Sequence, residues 1–180
     1  MLSCPALCHV KIRQSGVKSG ENMVILRPRI RSIGMKPIFR DYKVWALITG
    51  AASGMGRIYA QRLACMGYNV ALTDINAKGL EETAALVRSA VQESGIPQSS
   101  KEALQVMTIV QDLSLQDAAE SVHARTSAAG CEVEVLVNNA GIMYCQAIHA
   151  TSEKFLNLIM MVHMYTPLML CRKYINGMRE

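Results

Sequence analysis

A doubly wound α/β domain, a parallel sheet with helices on both faces, is the fold class this sequence predicts for residues 43–180. Three observations predict it. Strand-like apolar runs alternate with helix-period segments in the order βαβαβαβα. The runs are continuously apolar rather than alternating, which marks strands buried on both faces. Aromatic residues make up only 5% of the chain, so the apolar mass is Ala, Val, Leu, Ile and Met, the filling of helix-on-sheet layers. In such a sheet, ligands sit at the carboxyl ends of the strands where the strand order reverses, so the residues just after each strand carry the chemistry.

Residues 44–49 (Val-Trp-Ala-Leu-Ile-Thr) form the first apolar run and end at Gly50. A helix over residues 55–66 follows, with Met55, Ile58, Leu63 and Met66 at helical spacing and Gly67 closing it. Residues 69–74 form the second run and end in Asp74. Asn76 can then cap a helix whose apolar face is Leu80, Ala84, Val87 and Val91. Residues 94–100 (Ser-Gly-Ile-Pro-Gln-Ser-Ser) read as a polar loop with two breakers, and residues 104–110 as the third strand. Ser114 and Asp117 resemble a capping box, with Leu115, Ala118 and Val122 continuing that helix to Gly130. Residues 133–137 form the fourth strand. Thr151 or Ser152 caps a long helix reaching roughly to residues 176–177.

Composition narrows the function classes. The chain has 180 residues, 51% hydrophobic and 18% charged, which excludes a disordered polyampholyte. Its net charge of +5 is concentrated at one end. Residues 1–40 hold eight bases and one acid, and the remaining 140 hold eleven bases and thirteen acids. The body therefore lacks the basic stripe of a nucleic-acid binder. Residues 1–42 read as a basic, poorly ordered leader. A mitochondrial-type transit peptide is one reading of it, and an extension upstream of a start at Met35 is the favoured one. Six cysteines, none in a CxxC pair, read as free thiols in a reducing compartment. Cys4, Cys8 and His9 lack a second ligand pair to complete a zinc site, so no metal is expected. The longest apolar run, residues 155–171, is interrupted by Asn157, His163 and Pro167, too short for a span of ~20 residues. Cytoplasmic location follows as the expectation.

The strand ends carry the functional signal. After the first strand stand Thr49, Gly50, Ala51, Ala52, Ser53, Gly54, Met55 and Gly56, a Gly-x-x-x-Gly-x-Gly loop between a strand and a helix. Gly50 permits a tight turn, Gly54 lets backbone approach a pyrophosphate, and Gly56 allows close helix–strand packing. The helix that follows aims free N–H groups at phosphate. No Gly-Lys-Ser/Thr follows, which excludes a P-loop. Asp74 lies 18 residues after Gly56, placed to accept hydrogen bonds from a ribose diol and to repel a 2′-phosphate. Asp112 and Leu113 follow the third strand, and Asn138, Asn139, Ala140 and Gly141 the fourth.

In this order these elements resemble the short-chain dehydrogenase/reductase family, over about residues 43–180. The resemblance implies a Rossmann-like fold and an NAD(P)-dependent oxidoreductase, with hydride transfer between nicotinamide and an alcohol or ketone carbon. It implies that Asp112 meets the adenine ring and Leu113 lines its pocket, while Asn139, Ala140 and Gly141 run beside the adenosine-side ribose and the phosphates. Asp74, with Ser53 where NADP users often carry Arg or Lys, favours NAD over NADP. Residues 94–103 make the second helical region longer than the family pattern.

Family catalysis needs a Ser and then Tyr-x-x-x-Lys, the Lys lowering the Tyr pKa. The residues four places after Tyr42, Tyr59, Tyr68, Tyr144, Tyr165 and Tyr174 are Ala46, Leu63, Leu72, Ile148, Met169 and Met178, and none is Lys. The expectation is a chain that keeps the dinucleotide-binding half, with an incomplete sheet and no catalytic Ser, Tyr or Lys. A non-catalytic nucleotide-binding remnant of an interrupted gene is the alternative. By the resemblance His163 stands at the family's helix Asn position, where it either donates a hydrogen bond to the backbone or holds a water, or, as the favoured reading, is a tolerated substitution. The apolar face Ile159, Met160, Met164 and Leu168 reads as core or subunit-interface surface, compatible with a homo-oligomer in a complete protein. The substrate, a small alcohol or carbonyl compound, is not specified by these residues.

Overall fold

The computed structural model describes residues 39–143 and 147–178, all within the unit Pro37–Glu180. The sequence readings on residues 1–38, including the leader and Cys4, Cys8 and His9, lie outside the described residues, as do Tyr144 and Cys145. Four strands, β1 (Trp45–Thr49), β2 (Asn69–Asp74), β3 (Val106–Val110) and β4 (Val133–Val137), form one parallel sheet in the order β3-β2-β1-β4. The chain steps outward from β1 to β3 and then returns to the far side of β1. The strand order therefore reverses between β1 and β4, and Thr49 and Val137 end at that crevice.

The helices cover both faces. α1 (Gly54–Cys65) and α2 (Ala77–Gln92) pack on one face against Ala46, Ile48, Val70 and Leu72. α4 (Ala118–Ala128) and α6 (Thr166–Tyr174) pack on the other against Leu47, Ala71 and Ile109. Period-two alternation along β1 and β2 feeds both cores, so each strand residue is buried on one side or the other. In the first core Leu80, Ala84, Val87 and Val91 on α2 are all buried as the sequence predicts.

α1 departs from the sequence reading. Its buried stripe is Gly56, Ala60 and Ala64, whereas Met55 is 67% exposed and Ile58 55% exposed. The helix lies so close to the sheet that only small residues fit beneath it. Residues 94–100 are not all loop: Pro97 starts the single turn α3 (Gln98–Lys101). The capping box does not form. Ser114 donates both its N–H (2.9 Å) and its hydroxyl (2.7 Å) to Asp112 Oδ1, and α4 starts at Ala118 with no side-chain cap. A carboxylate two residues away outcompetes a helix N-terminus for that hydroxyl. Asn76 does cap α2, accepting from Gly79 N at 3.0 Å.

The last helix runs from α5 (Glu153–Met160) through a π-helical turn (Met161–Tyr165) into α6. Ser152 caps it by accepting from Phe155 N. Pro167 has no N–H to give the His163 carbonyl four residues back, which is where an α-helix must yield to a wider turn. The buried stripe is Val162, Thr166, Leu170 and Tyr174, anchored by a 2.6 Å hydrogen bond between Tyr174 and Thr126 on α4. Burial pushes the Tyr174 phenol above its ordinary range. Met160 and Met164 are each 51% exposed and Leu168 is 66% exposed, so this face is not core among the described residues. By length and composition the 22-residue helix Glu153–Tyr174, with a mean hydropathy of 1.3 in its most apolar stretch, is long and apolar enough to cross a membrane. The run 155–171 is shorter because it leaves out the helix's first and last turns.

The body extends upstream of residue 43. Arg40 N donates to Met66 O and Tyr42 N to Gly67 O, and Asn69 Nδ2 donates to Tyr42 O at 2.8 Å. The Arg40 guanidinium bonds the Tyr68 hydroxyl and pairs with Glu134, which the β1–β4 register skips. Tyr42 is buried, and its hydroxyl has no hydrogen-bond partner among the described residues.

Burial, and secondarily Cys65, pushes the Tyr42 phenol from 10.0 up to about 12. The unfolded chain therefore loses this proton before the folded chain does. The associated stability is complete below pH 10 and is lost as pH rises through about 12. Tyr42→Phe removes no hydrogen bond, so its melting temperature at pH 7 should match or exceed wild type. Its decline between pH 10 and 12 should be shallower. A Phe variant melting many degrees lower at pH 7 would contradict this account of Tyr42.

Candidate cofactor site

The site is built on Thr49, the last residue of β1, which is buried at the crevice. Its hydroxyl donates to Val137 O (3.3 Å) and accepts from the Asn139 (2.9 Å) and Ala140 (3.0 Å) N–H groups. The Asn139 amide reaches back and donates to Thr49 O (3.0 Å) and Gly50 O (3.2 Å). The loops after β1 and β4 are thus tied side to side. A Cβ at Gly50 would stand 2.7 Å from Ala140 Cα, and one at Gly56 2.1 Å from Gly50 O. Only glycine lets the two loops and α1 meet this closely.

A second set of bonds fixes the outer side of the loop. Asp74, ending β2, accepts from Ala52 N at 3.1 Å through Oδ2 and from Asn76 N at 3.0 Å through Oδ1. Arg57 of α1 folds back to donate to Ala52 O (2.6 Å) and to Thr83 Oγ1 (3.0 Å), and its guanidinium lies 3.3 Å from Glu82. The Thr83 hydroxyl reaches the carbonyls of Ala51 and Gly79, both at 2.9 Å. The start of α1 is left open: Ser53 makes no side-chain cap and the first turn holds no acidic residue. Its N–H groups and positive helix end therefore face outward, available to an anion.

Between these loops lies a cavity of about 280 Å³. Gly50, Asp74, Asp112, Leu113, Ala140 and Gly141 line it, joined by Ile142 and Val162 from the β4 loop and the π turn. The lining is mostly apolar with a few polar residues, Asp74, Asp112, Gln111 and Ser114, the arrangement that takes a flat heterocycle carrying a diol. Leu113 is locked by its carbonyl, which accepts from Thr166 Oγ1 at 2.8 Å. His163 Nε2 lies 3.0 Å from Ile142 N and 2.8 Å from Ile142 O.

The structure brings six of the eleven sequence-predicted residues to this cavity. Of the others, Ser53, Gly54 and Met55 are exposed at the start of α1, beside the cavity lining rather than in it. Gly56 and Asn139 sit behind the wall, where Gly56 lets α1 approach and Asn139 spends its amide on the β1 loop. Sequence reasoning missed Thr49, Arg57 and Thr83 as builders of the site. A hydroxyl at a strand's last residue is a signal for the first, but nothing in the pattern marks the other two.

Residues 44–180 match the short chain dehydrogenase family. The chain belongs to that family. Among similar short-chain dehydrogenases, retinol dehydrogenase 10-A of Danio rerio is 26% identical over 167 residues, 87% of this chain and 47% of the relative. Estradiol 17-beta-dehydrogenase 11 of Homo sapiens is 34% identical over 124 residues, 67% of this chain and 37% of the relative. The chain thus spans less than half the length of either relative. A metagenomic short-chain oxidoreductase solved in complex with NADP superposes with a TM-score of 0.64 at 26% identity, covering 75% of this chain and 56% of that one.

Two of the three loop glycines, Gly54 and Gly56, should respond differently to alanine. Gly54 has φ +53°, and a Cβ there would meet nothing within 4 Å, so Gly54→Ala carries only the left-handed backbone penalty of ~1–2 kcal/mol. Gly56→Ala must push α1 off the Gly50 carbonyl and should lower urea-unfolding stability by clearly more. The reverse order would show that α1 does not seat on the loop as described.

Proposed function

We propose that residues 43–180 bind the adenosine end of a nicotinamide dinucleotide, NAD in preference to NADP, as the cofactor-holding part of an oxidoreductase acting on an alcohol or ketone. The observation that carries the reading is the placement of Asp74: a carboxylate at the end of β2, held by two backbone N–H groups, on the rim of the cavity that Asp112 and Leu113 share. The related oxidoreductase complexed with NADP supports a dinucleotide as the ligand class.

The residues present fit such a group. The open N-terminus of α1 suits a pyrophosphate. The close contact of Gly50, Gly56 and Ala140 shapes the backbone that would run beside it. Asp74 would take the ribose hydroxyls, and Leu113, Ile142 and Val162 the apolar faces of the base. Bound there, the dinucleotide supplies hydride to, or takes it from, a carbon of the substrate. A 2′-phosphate would meet the Asp74 carboxylate, and the guanidinium of Arg57 is engaged by Ala52 O, Thr83 and Glu82. Opposing like charge at short range costs affinity, and hydrogen bonding cannot offset it because neither group donates.

Residues 1–180 contain no Tyr followed four places on by Lys, which favours a second reading, nucleotide binding without turnover by these residues alone. One experiment addresses both. The purified 180-residue chain should bind ADP-ribose at least about tenfold more tightly than its 2′-phosphorylated form, by titration calorimetry. Asp74→Ser should narrow that gap. With NAD and a panel of secondary alcohols no reduced nicotinamide should accumulate. Equal or tighter binding of the phosphorylated compound would defeat the NAD assignment, and turnover abolished by Gly54→Asp would defeat the reading without turnover.

A further inference from the structure

We propose that the chain carries a second ligand site beside the dinucleotide cavity, a pocket between α5 and the loop after β3 that takes a small amphiphilic carboxylate. Its volume is about 400 Å³, larger than that of the first cavity. One face of the long helix builds most of it. Lys154, Leu158 and Met161 recur at i, i+4 and i+7, with Phe155 and Asn157 beside them. Ser114 joins them from the loop after β3, and Ser152 from the residue that caps the helix.

The two cavities adjoin, since Ser114 and Leu158 line both. Their charge is opposite. The first is lined by the carboxylates of Asp74 and Asp112 and by no base. The second is lined by the Lys154 ammonium and by no acid, and Glu153, next in sequence, lies outside its lining. Among the described residues Lys154 takes part in no ion pair. The Asn157 amide adds further N–H donors. The Ser152 oxygen accepts from Phe155 N, which leaves its own proton to donate. An ammonium, an amide and a hydroxyl with no carboxylate among them select an anion. Phe155, Leu158 and Met161 are half-buried and form an apolar wall, too long for a bare inorganic ion and suited to a hydrocarbon body. The carboxylate therefore meets Lys154 in a charge-assisted hydrogen bond, and the body lies along the other three side chains.

The probe is decanoate, below its micelle concentration, titrated into the full 180-residue chain beside decanol, which offers the same hydrocarbon body without the charge. Decanoate should bind at least about tenfold more tightly than decanol, the scale of one hydrogen bond to a charged group. Lys154→Gln should abolish that difference and leave ADP-ribose affinity as in wild type. Met161→Trp fills the pocket from a residue that does not line the first cavity. With circular dichroism unchanged, it should weaken both probes by about tenfold. Saturating ADP-ribose should leave decanoate bound. Equal binding of the two probes by wild type, a difference that survives Lys154→Gln, undiminished binding by folded Met161→Trp, or displacement of decanoate by ADP-ribose would each overturn the site. A chain that binds decanoate in this pattern but not ADP-ribose would keep the site and defeat the dinucleotide reading instead.

Discussion

The hydroxyl of Thr49 is the point on which the rest of the site depends. It sits at the one place in the sheet where the chain changes direction, between β1 and β4, and there it accepts from two consecutive backbone N–H groups of the β4 loop. The crevice at a strand-order reversal exposes backbone that neither strand can pair. One buried hydroxyl and the Asn139 amide pair the Asn139 and Ala140 N–H groups and the Thr49, Gly50 and Val137 carbonyls here. The same bonds bring Gly50 against Ala140 and so define the floor of the cavity. Packing, hydrogen bonding and ligand shape are joined at a single residue.

Around that junction the geometry is set by close backbone contact more than by large side chains. α1 rests on the loop through Gly56, Ala60 and Ala64, and α2 reaches the loop through Gly79 and Thr83. Arg57 and Asp74 hold the two ends of Ala52, one on its carbonyl and one on its N–H. A cation and an anion thus stand on opposite sides of one residue of the loop. The positive side is consumed internally by Glu82 and Thr83, whereas the Asp74 carboxylate stands at the cavity. That asymmetry is the electrostatic basis of the proposed preference for an unphosphorylated ribose.

Much of this was legible in the sequence, for physical reasons that differ by element. β2 and β4 run over the residues expected: β2 because a strand buried on both faces reads as an apolar run, and β4 because its four apolar residues stand between the turn formers Gly130 and Asn138 even though it is only half-buried and carries Glu134. Asp74 was legible from position alone, since the residue ending β2 must face the crevice. The buried face of α1 was not, because close approach replaces large apolar residues with Gly and Ala, and periodicity counted on Met55 and Ile58 then points to the wrong side. The inward turn of Asn139 and the fold-back of Arg57 depend on partners about 90 and about 26 residues away, which no local pattern encodes. The contact of His163 with Ile142 required both the π turn at Pro167 and the path of the β4 loop to be known.

The account stands or falls on whether the Thr49 junction shapes a nucleotide site. The most direct measurement is ADP-ribose affinity of Thr49→Val, which keeps the side-chain shape and removes the oxygen. With its circular dichroism unchanged, this variant leaves the Ala140 N–H without its acceptor and the Asn139 N–H with Val137 O alone, and the loss should weaken ADP-ribose binding by at least about tenfold. Binding equal to wild type would show that the joined loops do not form the ligand's seat.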